Sequence, residues 1–140
     1  MTRPSKPPLV TEKEVQRAIL DTLDALGVRA WRNNVGSISA EHKGRKRFVR
    51  FGEVGAADIL GVLPGTGRLC AVEVKRPGNH PTPAQIRWMV DMNERGGFAF
   101  WATSARTVEV VIRAALLNPG VRIVTAADGS QDLTDEETRL

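Results

Sequence analysis

The chain has 140 residues, 41% apolar and 26% charged, with 20 Lys and Arg against 16 Asp and Glu, a formal net charge of +4. These values match average globular usage, so wholesale disorder and fibrous repeats are excluded, and the length suits one domain. No apolar run approaches the ~18 residues of a membrane helix, and the single cysteine, Cys70, excludes an internal disulfide, with no Cys/His cluster to suggest zinc. Residues 1–10 carry Arg3 and Lys6 among three prolines and have no apolar signal region, so the expected setting is cytoplasmic, with no membrane partner.

Thr11 followed by Glu14 matches a capping box. Val15, Ala18, Ile19, Leu23 and Leu26 then recur at helical spacing, and Gly27 supplies a stop. Residues 28–33 read as a short strand, 34–46 as a polar, glycine-containing loop, 47–51 as a strand and 52–57 as a turn. Two apolar strands, 58–63 and 69–75, flank Pro64-Gly65-Thr66-Gly67 and predict a hairpin. After a loop at 76–81, Thr82 caps a second helix, with Pro83 in its first turn and Gln85 closing another capping box. Gly96 and Gly97 end it. Residues 98–102 read as a strand, and Thr107 as the cap of a last helix that runs to Leu117 and stops at Asn118-Pro119-Gly120. The order predicts an α/β fold, a mixed central β-sheet flanked by helices.

The net charge averages two unlike regions. Residues 126–140 hold five acids, Asp128, Asp132, Asp135, Glu136 and Glu137, against Arg139. Without this −4 stretch, residues 1–125 carry 19 bases and 11 acids, a net of +8. The expected organisation is a flexible N-terminus at 1–10, one domain at 11–125 and an acidic tail outside the fold at 126–140. Seven of the bases, Arg29, Arg32, Lys43, Arg45, Lys46, Arg47 and Arg50, fall within 22 residues that contain Glu41 as the one acid. Such a run is either a solvated surface or a phosphate-binding face. Trp31, flanked by Arg29 and Arg32, fits either core packing or nucleic-acid contact. His80 and His42 read as loop histidines.

The hairpin acts as a ruler. A turn centred between Gly65 and Thr66 sets Asp58 directly opposite Glu73, with Cβ atoms ~4.5–5.5 Å apart. Lys75, two residues on, shares their face, while Cys70 falls on the other and reads as a core thiol. Opposed carboxylates repel unless a cation or a proton sits between them, and strands this apolar disfavour them. The same residues could form an exposed strand face. Local rules broken three times at one end of a hairpin point instead to a functional site. Its natural occupant is a hard divalent cation such as Mg²⁺, with Lys75 placed to orient water and offset phosphate charge.

Here the residues resemble a family. Asp58, Glu73-Val74-Lys75 on the next strand and a helix opened by Gln85 look like the PD-(D/E)xK restriction-endonuclease-like core. More narrowly, Glu14-Val-Gln-Arg-Ala-Ile, Trp31-Arg-Asn33, Gly55-Ala-Ala-Asp58-Ile-Leu-Gly61 and Glu73-Val-Lys75 are similar to the viral-type replication–repair nuclease (VRR-NUC) domain. These domains resemble archaeal Holliday-junction resolvases in turn. The resemblance spans residues 11–117, with Ala57 standing where the name motif has proline.

What the resemblance implies is Mg²⁺- or Mn²⁺-dependent phosphodiester hydrolysis. Asp58, Glu73 and the Val74 carbonyl would hold the metal, Lys75 would be the catalytic lysine, Gln85 would support the site and Glu14 would add a carboxylate. Glu14 and Gln85 each also fit a purely capping role. The expected partner is DNA, duplex or branched, held through Arg32, Lys43, Arg45, Lys46, Arg47, Arg50 and Arg76, with a homodimer presenting two sites to a junction. Alternatives are a non-catalytic DNA-binding module and a nuclease subunit of a restriction or replication assembly, docked through the acidic tail.

Overall fold

A computed structural model describes residues 9–34 and 36–135. Helix α1 (Glu12–Ala25) is followed by β1 (Arg29–Arg32), β2 (Gly36–His42), β3 (Arg45–Phe51), β4 (Ile59–Val62) and β5 (Leu69–Val74). Then come α2 (Pro83–Glu94), β6 (Phe98–Ala102), α3 (Ala105–Leu117), β7 (Val121–Thr125) and β8 (Gln131–Asp135). The central sheet has the order β1-β4-β5-β6, antiparallel except for the parallel β5–β6 pair, while β2–β3 and β7–β8 are separate hairpins. This is the mixed sheet flanked by helices that the element order predicts. Among the described residues, no helix is long and apolar enough to cross a membrane.

Alternation along β5 and β6 divides the core in two. Cys70, Val72, Val74, Phe98 and Phe100 turn to one face, where Val15, Ile19 and Leu23 of α1 meet Val108, Ile112 and Ala115 of α3. Burial pushes the Cys70 thiol up to about 12, so it stays a neutral core group. On the other face stand Ala71 and Ala99, and their small side chains admit α2 through Ile86, Trp88 and Met89. Glu73 has the parity of Ala71 and so lies on the α2 face.

Both expected capping boxes are present, Thr11 with Glu14 and Thr82 with Gln85. Three expectations are corrected. The segment 34–46 is no loop: most of it is β2 and the start of a ribbon with β3. The two strands are joined by Lys43 (φ 52°) and Gly44 (φ 72°), the left-handed pair of a tight hairpin turn. The last helix is capped by Ser104, whose hydroxyl accepts the Thr107 N–H, and Thr107 itself lies in the first turn.

The acidic stretch is part of the fold as far as Asp135, because β8 pairs with β7 and Gln131 binds both backbone groups of Trp101 (2.8 and 3.0 Å). Asn118 also donates to Asp135 (2.7 Å). Residues 136–140, like 1–8, lie outside the described residues.

Gly55 shows how the turn before β4 is located. Its φ is +80°, and a Cβ there would lie 2.5 Å from the Ala84 carbonyl oxygen in the first turn of α2. Gly55→Ala is therefore expected to destabilise the fold by roughly 2 kcal/mol, combining backbone strain with a steric clash. The measurement is a lowered urea midpoint with an unchanged slope.

Candidate active site

The β4–β5 register pairs Ile59 with Val72 and Leu60 with Ala71, so extending the ladder by one step sets Asp58 against Glu73, as the hairpin ruler predicts. Asp58 stands just ahead of β4, and its Oδ2 accepts the Val74 N–H at 2.9 Å. Asn33, at the end of β1, fixes the same corner: its backbone N–H donates to the Asp58 carbonyl (2.7 Å) and its side-chain amide to the Ala57 carbonyl (3.1 Å). Asp58 is thus held between two neighbouring strands.

Glu73 is the chemical anomaly. It is 2% exposed, in the middle of a sheet whose buried side chains are otherwise almost all apolar. One oxygen, Oε1, accepts the Gln85 side-chain amide at 2.9 Å and lies 3.6 Å from the Lys75 ammonium. The other, Oε2, is buried without any hydrogen-bond partner. Burial, reinforced by the Asp58 carboxylate beside it, pushes the Glu73 carboxyl up to about 9, while Lys75 pulls the other way. A buried acceptor left unpaired costs ~1–3 kcal/mol. The site therefore calls for a proton or a cation between Glu73 and Asp58.

Lys75 continues β5 by one rung, its N–H donating to the Ala102 carbonyl (3.0 Å), and its side chain is 13% exposed. Gln85 does two things with one amide: Oε1 closes the capping box on the Thr82 N–H (2.8 Å) while Nε2 reaches Glu73. The structure thus brings Asp58, Glu73, Val74, Lys75 and Gln85 together.

Glu14 is not brought to Glu73. Helix α1 lies on the opposite face of the sheet, and the Glu14 Oε2 accepts the Thr11 N–H at 3.2 Å. Among the described residues no group of three or more acidic, His or Cys side chains stands together. The facing side chains that could meet a cation are accordingly the two carboxylates of Asp58 and Glu73. The hollow containing Asp58 is lined by Arg32, Asn33 and Asn34 and by three α1 residues to which the sequence reading gave no role, Glu12, Lys13 and Gln16. The signal for them is the four-residue spacing of Glu12 and Gln16, which puts both on one helix face.

Of the bases expected to meet nucleic acid, Arg32 and Arg76 are exposed, and Lys43, Arg45 and Lys46 are exposed at the tip of the β2–β3 ribbon. Arg47 and Arg50 stand further along β3. Trp31 is 47% exposed and belongs to no core cluster. His80 lies in an exposed loop with its ring 5.2 Å from that of Trp101, the residue paired with Glu73 across β5–β6. Trp88 donates to Glu53 (3.1 Å), a second tie between α2 and the turn that leads to Asp58.

A mixed sheet with a buried glutamate, a facing aspartate and a lysine two residues on defines a restriction-endonuclease-like nuclease core. A family model for the VRR-NUC domain matches residues 10–106, and the chain belongs to that family. It is also similar to a solved structure titled "VRR_NUC domain", with 28% sequence identity over 73% of this chain and 94% of that one, and a TM-score of 0.51. Among curated proteins, none matches. The protein therefore carries a nuclease-type domain.

Proposed function

We propose that this protein is a Mg²⁺-dependent DNA endonuclease that hydrolyses phosphodiester bonds in branched or structured DNA such as four-way junctions, with Mn²⁺ able to substitute. The observation that carries this reading is the buried Glu73 carboxylate, with Oε2 unpartnered beside Asp58. Hard divalent cations take oxygen ligands, so Asp58, Glu73 and the Val74 carbonyl suit Mg²⁺ in chemistry. When bound, such a cation polarises the phosphoryl group and makes water a better nucleophile. Gln85 holds Glu73 Oε1 through its amide, which leaves Oε2 as the free donor. Lys75 sets an ammonium at the mouth of this pair, where it orients the attacking water and offsets charge developing on the phosphate. The exposed bases of the ribbon, with Arg32 and Arg76, hold the DNA backbone and do not read sequence.

A single domain of this size presents little surface to two duplex arms, so a homodimer with two sites suits a junction best. Incubation with a labelled four-way junction and a linear duplex, with Mg²⁺, Mn²⁺ or chelator, tests the reading. Junction cleavage that chelator abolishes is expected. Failure to cut any DNA form with either cation overturns it.

A further inference from the structure

The hollow between α1 and β1 is lined by Thr11, Lys13, Glu14, Gln16, Arg17, Leu20 and Arg32 and encloses about 560 Å³. Lys13 and Arg17 are one helical turn apart on α1, and Arg32 comes from the far end of β1, so cations distant in sequence converge on one space. All three are exposed, and among the described residues none of them is in an ion pair. Acidic partners are within reach of the helix: Asp21 is four residues beyond Arg17, and Glu14 is instead committed to the Thr11 N–H. Elsewhere on the molecule the same four-residue spacing does close, in Asp91–Arg95 and Glu109–Arg113.

The hollow also has a direction. Lys13, Gln16 and Arg32 line it and equally line the neighbouring hollow that contains Asp58 and Glu12. Unpaired cations thus lead from the outer face of α1 toward the carboxylate of the candidate site, past Glu14 and Glu12, which line the same two hollows. A polyanion approaching Asp58 and Glu73 is repelled by them, and a flanking row of free cations offsets that repulsion.

We propose that one DNA strand adjoining the scissile phosphate runs along the hollow between α1 and β1, with its phosphates held by Lys13, Arg17 and Arg32. This rests on the reading of the protein as a DNA nuclease and adds a second contact surface, separate from the β2–β3 ribbon. The contact is electrostatic, so each phosphate neutralised adds about 0.9 to the magnitude of the log–log slope of affinity against salt.

The test is fluorescence anisotropy with a labelled four-way junction, in the Lys75→Ala background so that the probe stays intact, across a salt series. Lys13→Ala/Arg17→Ala changes exposed side chains only and is expected to weaken binding roughly tenfold or more and to reduce the salt slope by about 2. Arg87→Ala/Arg106→Ala, which removes exposed bases elsewhere, is expected to leave both quantities unchanged. Parent-like binding by the first variant overturns the proposal, as does an equal loss in the two variants, which marks a mere reduction in total charge. Binding of no DNA by the Lys75→Ala parent would instead strike at the nuclease reading itself, and the strand path would fall with it.

Discussion

Replacing Lys75 by alanine is expected to lower kcat for divalent-dependent DNA cleavage by about 10²–10⁴-fold, the range for losing a positioned acid–base or electrostatic group. The side chain lies 3.6 Å from the Glu73 carboxylate, with enough exposure to meet a substrate. Its backbone N–H, which completes the β5–β6 ladder, is untouched by the substitution. Stability and DNA affinity should therefore stay near those of the parent while turnover falls. Single-turnover cleavage with the enzyme in saturating excess over DNA makes the measurement, because it separates chemistry from binding. Undiminished cleavage would remove Lys75 from the chemistry and, with it, the main catalytic argument.

The second large effect concerns stability in the absence of divalent cations. The folded-state carboxyl of Glu73 is pushed up to about 9, against an ordinary value of 4.5. Between those two values the folded chain keeps a proton that the unfolded chain releases. The stabilisation from that proton is complete below about 4.5 and is lost as pH rises through the window toward about 9, at up to ~1.4 kcal/mol per pH unit. Denaturant melts in chelator from pH 5 to 9 should show wild-type stability falling relative to Glu73→Gln, whose amide has no proton to lose.

Adding Mg²⁺ should recover stability at the alkaline end, because a cation that binds the ionised carboxylate favours the folded state by mass action. Parallel pH profiles for wild type and Glu73→Gln would show that Glu73 carries no such proton. At neutral pH the glutamine variant should also be the more stable protein in chelator, while losing cleavage. The site thus trades stability for chemistry at one residue.

The heart of the site is legible in the sequence because a short hairpin converts numbering into geometry. Pro64-Gly65-Thr66-Gly67 fixes the turn, the turn fixes the register, and the register sets Asp58 against Glu73. Helix starts are legible for a similar reason: Thr11 and Thr82 bond groups only three residues away. The same locality explains what stays hidden. Glu14 and Gln85 occupy identical places in identical capping boxes, and nothing within either box says which face of the sheet its helix will cover. That depends on Ala71 and Ala99 admitting α2 beside Glu73, while α1 packs on Val72 and Val74 behind it.

The β2–β3 ribbon is hidden because its strands are polar and its turn, Lys43-Gly44, resembles any basic loop. The placement of Gln131 is likewise invisible locally. Its partner, Trp101, is 30 residues away, and the acidic composition of residues 126–140 suggests solvent.

That glutamine has a consequence at the border of the sheet. Strand β6, Phe98-Ala-Phe-Trp-Ala102, is an outermost strand and one of the most apolar segments of the chain. A strand of this kind invites pairing with another molecule, the route to aggregation. The Gln131 amide both donates to and accepts from Trp101, imitating one rung of a neighbouring strand, and the Gly129 carbonyl takes the indole N–H. The C-terminal hairpin thereby occupies the hydrogen-bonding positions at Trp101 that a foreign strand would need, while Asn93 of α2 takes those of Ala99. The cover on this apolar edge thus comes from residues that lie past the family-matched segment.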